Sequence, residues 1–151
     1  SPKPKQNKKN NMTAQKLPYN QFVESFKLAP RIAVDLWIKN EMGGVLYAKR
    51  DVEPYTGMWH LPGSFLLKNE TVAECIKRIA KDEVNLDIVG DNFKLIQLDE
   101  DLQEPRGHII HLVYLVRVTK SQVTESEKQK FCFEPPSPMI PTHRQIFLEI
   151  T

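Results

Sequence analysis

Residues 57–86 decide the fold of this chain, and they read GMWHLPGSFLLKNETVAECIKRIAKDEVNL. The second half predicts an amphipathic helix over residues 70–84, because its apolar side chains recur at the spacing of one helix face: Val72, Cys75, Ile76, Ile79 and Ala80. Thr71 is a good N-cap and Glu74 follows three residues later, which is the pattern of a capping box. Asn85 comes after the last turn and tolerates the left-handed conformation that ends many helices.

Two carboxylates stand at the end of this predicted helix. Glu83 takes the next position of the apolar stripe, eleven residues after Val72, and Asp82 lies beside it. Mg²⁺ prefers oxygen ligands and often uses one or two carboxylates together with substrate phosphates. The pair is therefore a candidate cation site, with an ordinary solvated helix end as the alternative.

The other elements are predicted on both sides of this stretch. Working outward from it, the patterns indicate helices over residues 17–29 and 141–150, and strands over 32–38, 45–50, 58–61, 93–98, 108–119 and 131–133. Two glycines within residues 40–44 predict a hairpin turn. This order of elements predicts an α/β fold in which helices cover both faces of a mixed β-sheet.

Length and composition favour a small cytoplasmic protein. The 151 residues suit one domain, and no run approaches the roughly 18 apolar residues of a membrane helix. The N-terminus carries positive charge but no apolar segment of a secretory signal. Cys75 and Cys132 have no CxxC partner, so we expect two buried free thiols and a reducing compartment.

The basic character of the chain belongs to its N-terminal end. Residues 1–16 hold five lysines and no acid, so a net charge of +2 for the whole chain leaves −3 for residues 17–151. A segment of Lys, Asn, Gln and Pro buries too little apolar surface to fold. We predict a disordered basic tail over 1–16 and a single domain over 17–151, with weak nucleic-acid binding by the tail as the less favoured alternative to a solvated extension.

The stretch quoted above resembles the Nudix box, Gly-x5-Glu-x7-Arg-Glu-U-x-Glu-Glu-x-Gly-U, where U is aliphatic. Four positions of the pattern match without a gap: Glu70, Arg78, Glu83 and Leu86. A Lys-Arg strand end at 49–50 and the run at 57–63, Gly-x-Trp-x-Leu-Pro-Gly, also sit where the family has them. The resemblance spans about residues 30–150 and implies a Nudix-type α/β/α sandwich with a mixed β-sheet.

The chain departs from the box at positions that bear on catalysis. Asp82 replaces a Glu, Asn85 and Ser64 replace Gly, and Ile79 replaces the Glu after the Arg. An aliphatic side chain can neither ligate a cation nor take a proton, and a positioned general base contributes about 10² to 10⁴ in rate. The departure at Ile79 leaves two alternatives, a hydrolase whose base lies outside the box or a ligand-binding module with weakened catalysis.

The resemblance implies a substrate and a cofactor. We expect Mg²⁺-dependent hydrolysis of a nucleoside diphosphate linked to another moiety, of the nucleotide-sugar or ADP-ribose type, at the pyrophosphate. The GDP-mannose hydrolase branch, which also has an aliphatic residue at that box position and cleaves at the sugar carbon, is the alternative. Mg²⁺, or Mn²⁺ in its place, is expected on Asp82, Glu83 and the backbone at Gly63. The family often forms homodimers.

The predicted catalytic set includes Glu83 and Arg78, and it also needs a base from outside the box. We seek that base in residues 99–111, where Glu104, His108 and His111 are candidates and Glu104 and His108 are the ones assigned. The two histidines differ by an odd number of positions, so on a strand they face opposite sides and only one can reach the site.

Three further side chains are predicted to contact the substrate. Arg50 and Arg106 are expected on its phosphates, with solvated charges as the alternative. Trp59 is expected to stack on the base, with core packing as the alternative.

Overall fold

The computed structural model describes residues 13–151. Most of the predicted basic tail, residues 1–12, lies outside the described residues. Residues 13–16 are exposed and belong to no helix or strand. The helices are α1 (Tyr19–Leu28), α2 (Val72–Val84) and α3 (Pro141–Ile150), with a short 3₁₀ helix at Lys120–Gln122. The strands are β1 (Arg31–Lys39), β2 (Val45–Lys49), β3 (Trp59–His60), β4 (Gly63–Phe65), β5 (Lys94–Asp101), β6 (Ile109–Arg117) and β7 (Gln129–Cys132).

The strands form one mixed sheet in the order β3-β2-β1-β6-β5, with β4 added to β1 and β7 to β2. β1 and β6 run parallel over their full lengths, from Arg31 beside Ile109 to Lys39 beside Arg117. The other strand pairs are antiparallel. The predicted α/β architecture with a mixed sheet is confirmed.

Side chains of β1 alternate between two cores, one on each face of the sheet. Val34, Leu36 and Ile38 pack with the apolar stripe of α2. Trp37 points the other way and packs with Ile146 and Phe147 of α3. Helices therefore cover both faces. No helix within residues 13–151 is long and apolar enough to cross a membrane.

Helix α2 begins and ends with the predicted caps. The Thr71 hydroxyl accepts from the Glu74 N–H at 3.1 Å, and the Glu74 carboxylate accepts from the Thr71 N–H at 3.4 Å. Asn85 takes the left-handed conformation, with φ 55° and ψ 42°, and its N–H donates to the carbonyls of Ala80 and Lys81. The helix starts at Val72, two residues later than the pattern predicts.

The sequence pattern does not predict strand β4, because Pro62-Gly63 has the pattern of a strand end. Pro62 does not stop the sheet, because its carbonyl accepts from the Leu36 N–H at 2.8 Å. The next residue, Gly63, then pairs with Asp35 of β1. This pairing brings the start of the signature stretch against the middle of β1, where the candidate site lies.

Candidate functional site

A cleft opens on the α3 side of the sheet and encloses about 550 Å³ of empty space, part of it open to solvent. It is lined by residues from β1, β3, β4, β5, β6 and α3 and from the loops after β2 and β5. The polar side chains that matter for its chemistry are Asp35, Arg50, Tyr55, Arg106, His111 and His143.

Asp35 is a carboxylate in the middle of a buried strand, with 3% of its surface exposed. Its place is made by Gly63, since a Cβ on that residue would overlap the Asp35 carboxylate and lie 2.9 Å from the carbonyl of Val34. A charge at this depth needs partners, because an unpaired buried carboxylate is strongly unfavourable. Two histidines supply them.

Both histidines turn a ring nitrogen toward Asp35, and His111 is the one within hydrogen-bonding distance. His111 Nδ1 lies 2.5 Å from Asp35 Oδ2, and His143 Nε2 lies 3.7 Å from Asp35 Oδ1. The Leu61 N–H donates to His143 Nδ1 at 2.9 Å, so in the neutral ring the hydrogen is on Nε2, facing Asp35. The fourth nitrogen of the two histidine rings is His111 Nε2. It is buried and has no hydrogen-bond partner among the described residues.

The cluster sets the charge of each member. Burial alone would raise the pKa of Asp35, but His111 and His143 hold it below the ordinary value, so the group is a carboxylate. Burial would lower the pKa of His111, and the charge and hydrogen bond of Asp35 raise it instead. Burial dominates at His143, whose pKa falls to about 4, so that ring is neutral.

The same three residues have the spacing of a metal site, since their potential ligand atoms all lie within 4.8 Å of one another. Their hydrogen bonds argue against that use. A metal on His143 Nε2 would need the hydrogen on Nδ1, where the Leu61 N–H already donates. His111 Nδ1 is likewise engaged as a donor to Asp35. These hydrogen bonds favour proton binding over metal binding at the cluster.

Two guanidinium groups line the same cleft. Arg50 follows β2, and its side chain donates to the carbonyls of Pro54 and Glu53, the second at 3.2 Å. Arg106 donates to Glu104 through Nε and through its backbone N–H, each at 2.6 Å. Burial first and the charge of Arg106 next lower the pKa of Arg50. Arg106 is ion-paired with Glu104, whereas the contacts of Arg50 given above are with backbone carbonyls, so the charge of Arg50 is available to an anionic ligand.

Helix α1 forms a wall beside Arg106. Phe22, Phe26 and Phe65 make a three-ring cluster with centroids 5.2–5.4 Å apart. The Arg106 guanidinium lies over Phe26 and Phe65, at 5.6 and 5.4 Å from their centroids. Stacking and the Glu104 carboxylate thus fix the orientation of Arg106.

The three candidates for a base outside the box differ in their position relative to the cleft and in their hydrogen bonds. Glu104 lines the cleft, but both of its oxygens accept from Arg106. His108 precedes β6 and does not line the cleft, although its Nε2 is also buried without a partner among the described residues. His111, on β6, lines the cleft. The structure therefore brings His111 into the site in place of the assigned His108.

Trp59 lies in the core and does not line the cleft, with 6% of its surface exposed and the ammonium groups of Lys49 and Lys130 over its ring. The aromatic side chains that line the cleft are Tyr55 and Phe65. The packing alternative thus describes Trp59 better than base stacking does.

Several residues of the cleft are not predicted from the sequence, among them Asp35, Tyr55, His60 and His143. One signal was available, because Asp35 is the single charged residue in the apolar run of residues 32–38. A charge in a buried strand is rare unless it is paired, and such groups often mark functional sites. No comparable signal exists for His143, which lies 82 residues beyond its backbone partner Leu61.

Arg78 holds the loop before α2. It makes a two-pronged pair with Glu70, from Nε to Oε2 at 2.7 Å and from Nη2 to Oε1 at 3.0 Å, and it donates to the Phe65 carbonyl at 3.0 Å. The Glu70 side chain is almost fully buried. Arg78 does not line the cleft, and its contacts give it a positioning role instead of contact with reacting atoms.

The two acids of the box stand on the last turn of α2. Within residues 13–151, no hydrogen bond or ion pair engages the side chain of Asp82 or Glu83. Glu83 is exposed as a residue, yet partial desolvation of its carboxyl group, and then the charge of Asp82, raise its pKa, while Arg50 opposes the shift. Arg50, which lines the cleft, therefore lies near Glu83, whereas neither acid is among the described residues that line the cleft. Ile79 is completely buried in the α2 core.

Comparisons with known proteins agree with this architecture. Residues 29–146 match the model of the NUDIX domain. The low-salt glycan biosynthesis protein Agl8 of Haloferax volcanii is 36% identical over 73 residues, which cover 48% of this chain and 46% of the relative. The ADP-ribose pyrophosphatase of Methanocaldococcus jannaschii is 31% identical over 103 residues, which cover 68% of this chain and 60% of the relative.

The chain thus spans about half the length of the curated relatives it matches. Among solved structures, the MutT NUDIX hydrolase of Burkholderia pseudomallei superposes with a TM-score of 0.68 at 21% identity, covering 82% of this chain and 99% of the other.

Proposed function

The chain belongs to the Nudix family, and on that basis we propose that it hydrolyses the pyrophosphate of a nucleoside diphosphate linked to another moiety, of the nucleotide-sugar or ADP-ribose type, with Mg²⁺ as cofactor. The observation that carries the proposal is a cleft lined by two guanidiniums, Arg50 and Arg106, of which Arg50 lies close enough to Glu83 of the box for their charges to interact. The ADP-ribose pyrophosphatase relative supports this class of substrate.

The acids of the box fit a magnesium ion. Asp82 and Glu83 offer hard oxygen ligands that no described side chain occupies, and their mutual repulsion is of the kind that a cation relieves. Gly63 lines the cleft and stays a predicted backbone ligand. A bound Mg²⁺ would neutralise phosphate charge and polarise the phosphoryl group. The third acid of the family pattern has no counterpart, because Ile79 belongs to the core.

The remaining side chains bind and orient the substrate. Arg50 and Arg106 are placed for the diphosphate, since planar guanidiniums match phosphate oxygens in pairs. Tyr55 and Phe65 offer aromatic surface to the base or to the second moiety. The Arg78–Glu70 pair holds the loop between β4 and α2, and with it the position of Phe65.

The test is a turnover screen of the purified chain with Mg²⁺ against ADP-ribose and a panel of nucleotide-sugars. Hydrolysis in ¹⁸O-labelled water places the label on phosphate when water attacks phosphorus and on the sugar when it attacks carbon. Glu83→Gln and Asp82→Asn should each lower turnover at least tenfold. Asp87→Asn is the matched control, because Asp87 is an exposed acid just beyond α2 that pairs with Lys81.

A second candidate function is a nucleotide-binding module that has lost turnover. The burial of Ile79 favours it, since the position that carries an acid in the family pattern faces the core here. Calorimetric binding of ADP-ribose or a nucleotide-sugar, with no product over a long incubation, would support this candidate and contradict the hydrolase. Label on the sugar would instead support the GDP-mannose type of reaction. A cytoplasmic location and a homodimer stay predictions.

A further inference from the structure

We propose that His111, oriented by Asp35, is the general base of this protein and replaces the acid that the box lacks at Ile79. The inference rests on the proposed hydrolytic function and names the residue that activates water in it. It also assigns a role to Asp35, which lies on β1, far from the box in sequence.

The His111 ring has a buried nitrogen without a partner among the described residues. His111 is 94% buried, it lines the cleft, and its Nε2 has no partner among the described residues. Leaving a buried polar atom unpaired costs about 1–3 kcal/mol, so such atoms call for an explanation. A water molecule or a substrate group entering the cleft would supply the missing partner.

The Asp35 carboxylate orients the His111 ring through a hydrogen bond to Nδ1. Asp35 Oδ2 lies 2.5 Å from His111 Nδ1, so in the neutral ring Nδ1 carries the hydrogen and the buried Nε2 keeps its lone pair. A base held in one tautomer by a third group is the arrangement that activates nucleophiles in many enzymes. Gly63 is the residue whose lack of a Cβ allows Asp35 to lie there.

Other groups in the cleft are less suited to the role. Glu104 already accepts two hydrogen bonds from Arg106. His143 has Nδ1 taken by the Leu61 N–H and turns Nε2 to Asp35. His60 Nδ1 bonds to the Leu61 carbonyl at 2.7 Å, and within residues 13–151 no carboxylate forms a hydrogen bond with the ring. His111 is the histidine of the cleft that combines an orienting carboxylate with an unpartnered nitrogen.

Hydrolysis with His111 as the base needs no reagent other than water. His111 Nε2 takes a proton from water while the water oxygen bonds to phosphorus. The anhydride P–O bond breaks, and the leaving phosphate keeps the electron pair. The imidazolium, stabilised by Asp35, then releases its proton to solvent.

Charged groups around His111 set the pH at which it works. Asp35 faces it from β1, Asp99 and Asp101 act on it from β5, and the neutral His143 packs against it from α3, with ring centroids 5.6 Å apart. The three acids raise the pKa of His111 despite its burial. Activity should therefore rise with pH through a single inflection above the ordinary histidine value of about 6.5.

The experiment compares the wild type, His111→Gln, Asp35→Asn and His108→Gln with the best substrate of the turnover screen. His111→Gln should lower kcat at least 100-fold, with KM changed less than about threefold, and should abolish the inflection. Asp35→Asn should move the inflection to lower pH, which a purely structural role would not do. His108→Gln tests the competing assignment, because its Nε2 is equally buried.

The outcomes separate the two proposals. Absence of turnover by the wild type with every compound overturns the proposed function and the base with it. Turnover by the wild type that survives in His111→Gln, or an inflection lost in His108→Gln and kept in His111→Gln, overturns the base alone. If His111→Gln does not fold, as judged by circular dichroism, the Asp35→Asn profile decides, and an unmoved inflection there rejects the assignment.

Discussion

At Ile79, restoring the Glu of the Nudix box is expected to destabilise the protein without restoring catalysis. The Ile79 side chain is completely buried and packs with the core that joins α2 to β1. Ile79→Glu would place a carboxylate in that core without a partner. We expect a loss of at least about 3 kcal/mol in the free energy of unfolding and no gain in turnover, measured by urea denaturation and by the hydrolysis assay.

Ile79→Val is the control for that substitution, because it removes one methylene without adding charge and should cost about 1 kcal/mol. A stable Ile79→Glu variant with raised Mg²⁺-dependent activity would contradict the placement of this helix face.

Gly63 carries the opposite kind of constraint, since the position has no room for a Cβ. A methyl group there would overlap the Asp35 carboxylate and approach the Val34 carbonyl. We expect Gly63→Ala to lower the free energy of unfolding by about 1–3 kcal/mol, measured by denaturation. Because Asp35 raises the pKa of His111, displacing Asp35 should also lower that pKa, measured by ¹⁵N NMR of the imidazoles. The control is the neighbouring Ser64→Ala, whose free energy of unfolding should stay within about 0.5 kcal/mol of the wild type. An unchanged His111 titration in Gly63→Ala would argue against the close contact between residue 63 and the Asp35 carboxylate.

At the scale of the element, the end of α2 depends on one backbone conformation. Asn85 stands where the family pattern has glycine, and its φ of 55° is tolerated by Asn and Gly but costs other residues about 1–2 kcal/mol. Asn85→Ala should therefore lower the free energy of unfolding by about 1 kcal/mol, whereas Asn85→Gly should leave it nearly unchanged, both by urea denaturation. Equal effects of the two substitutions would show that the conformation does not limit this position.

At the scale of the whole molecule, the buried histidines predict how stability depends on pH. The pKa of His143 falls from 6.5 to about 4 in the folded protein because burial disfavours the charged ring. As pH drops from about 6.5 to 4, the unfolded chain takes up a proton that the folded protein does not, so stability is lost over that window. A shift of this size corresponds to about 3 kcal/mol.

His111 acts in the other direction, because its raised pKa contributes stability that is present below about 6.5 and is lost as pH rises through the folded value. We expect urea denaturation to show falling stability below pH 6.5, and His143→Asn, whose oxygen can still accept from the Leu61 N–H, to flatten that fall. A profile that His143→Asn leaves unaltered would mean that His143 is protonated in the folded state.

The amino-acid sequence by itself determined the parts of this protein that depend on neighbours along the chain. Helix α2 with its caps at Thr71 and Asn85, the mixed α/β order and the family resemblance all follow from local spacing and conformational preference. Only the tertiary structure decided the candidate site. Asp35 and His111 lie 76 residues apart and meet because β1 and β6 pair in parallel at one register. That register, and the packing of α3 that adds His143, arise from contacts between distant segments, which local patterns do not encode.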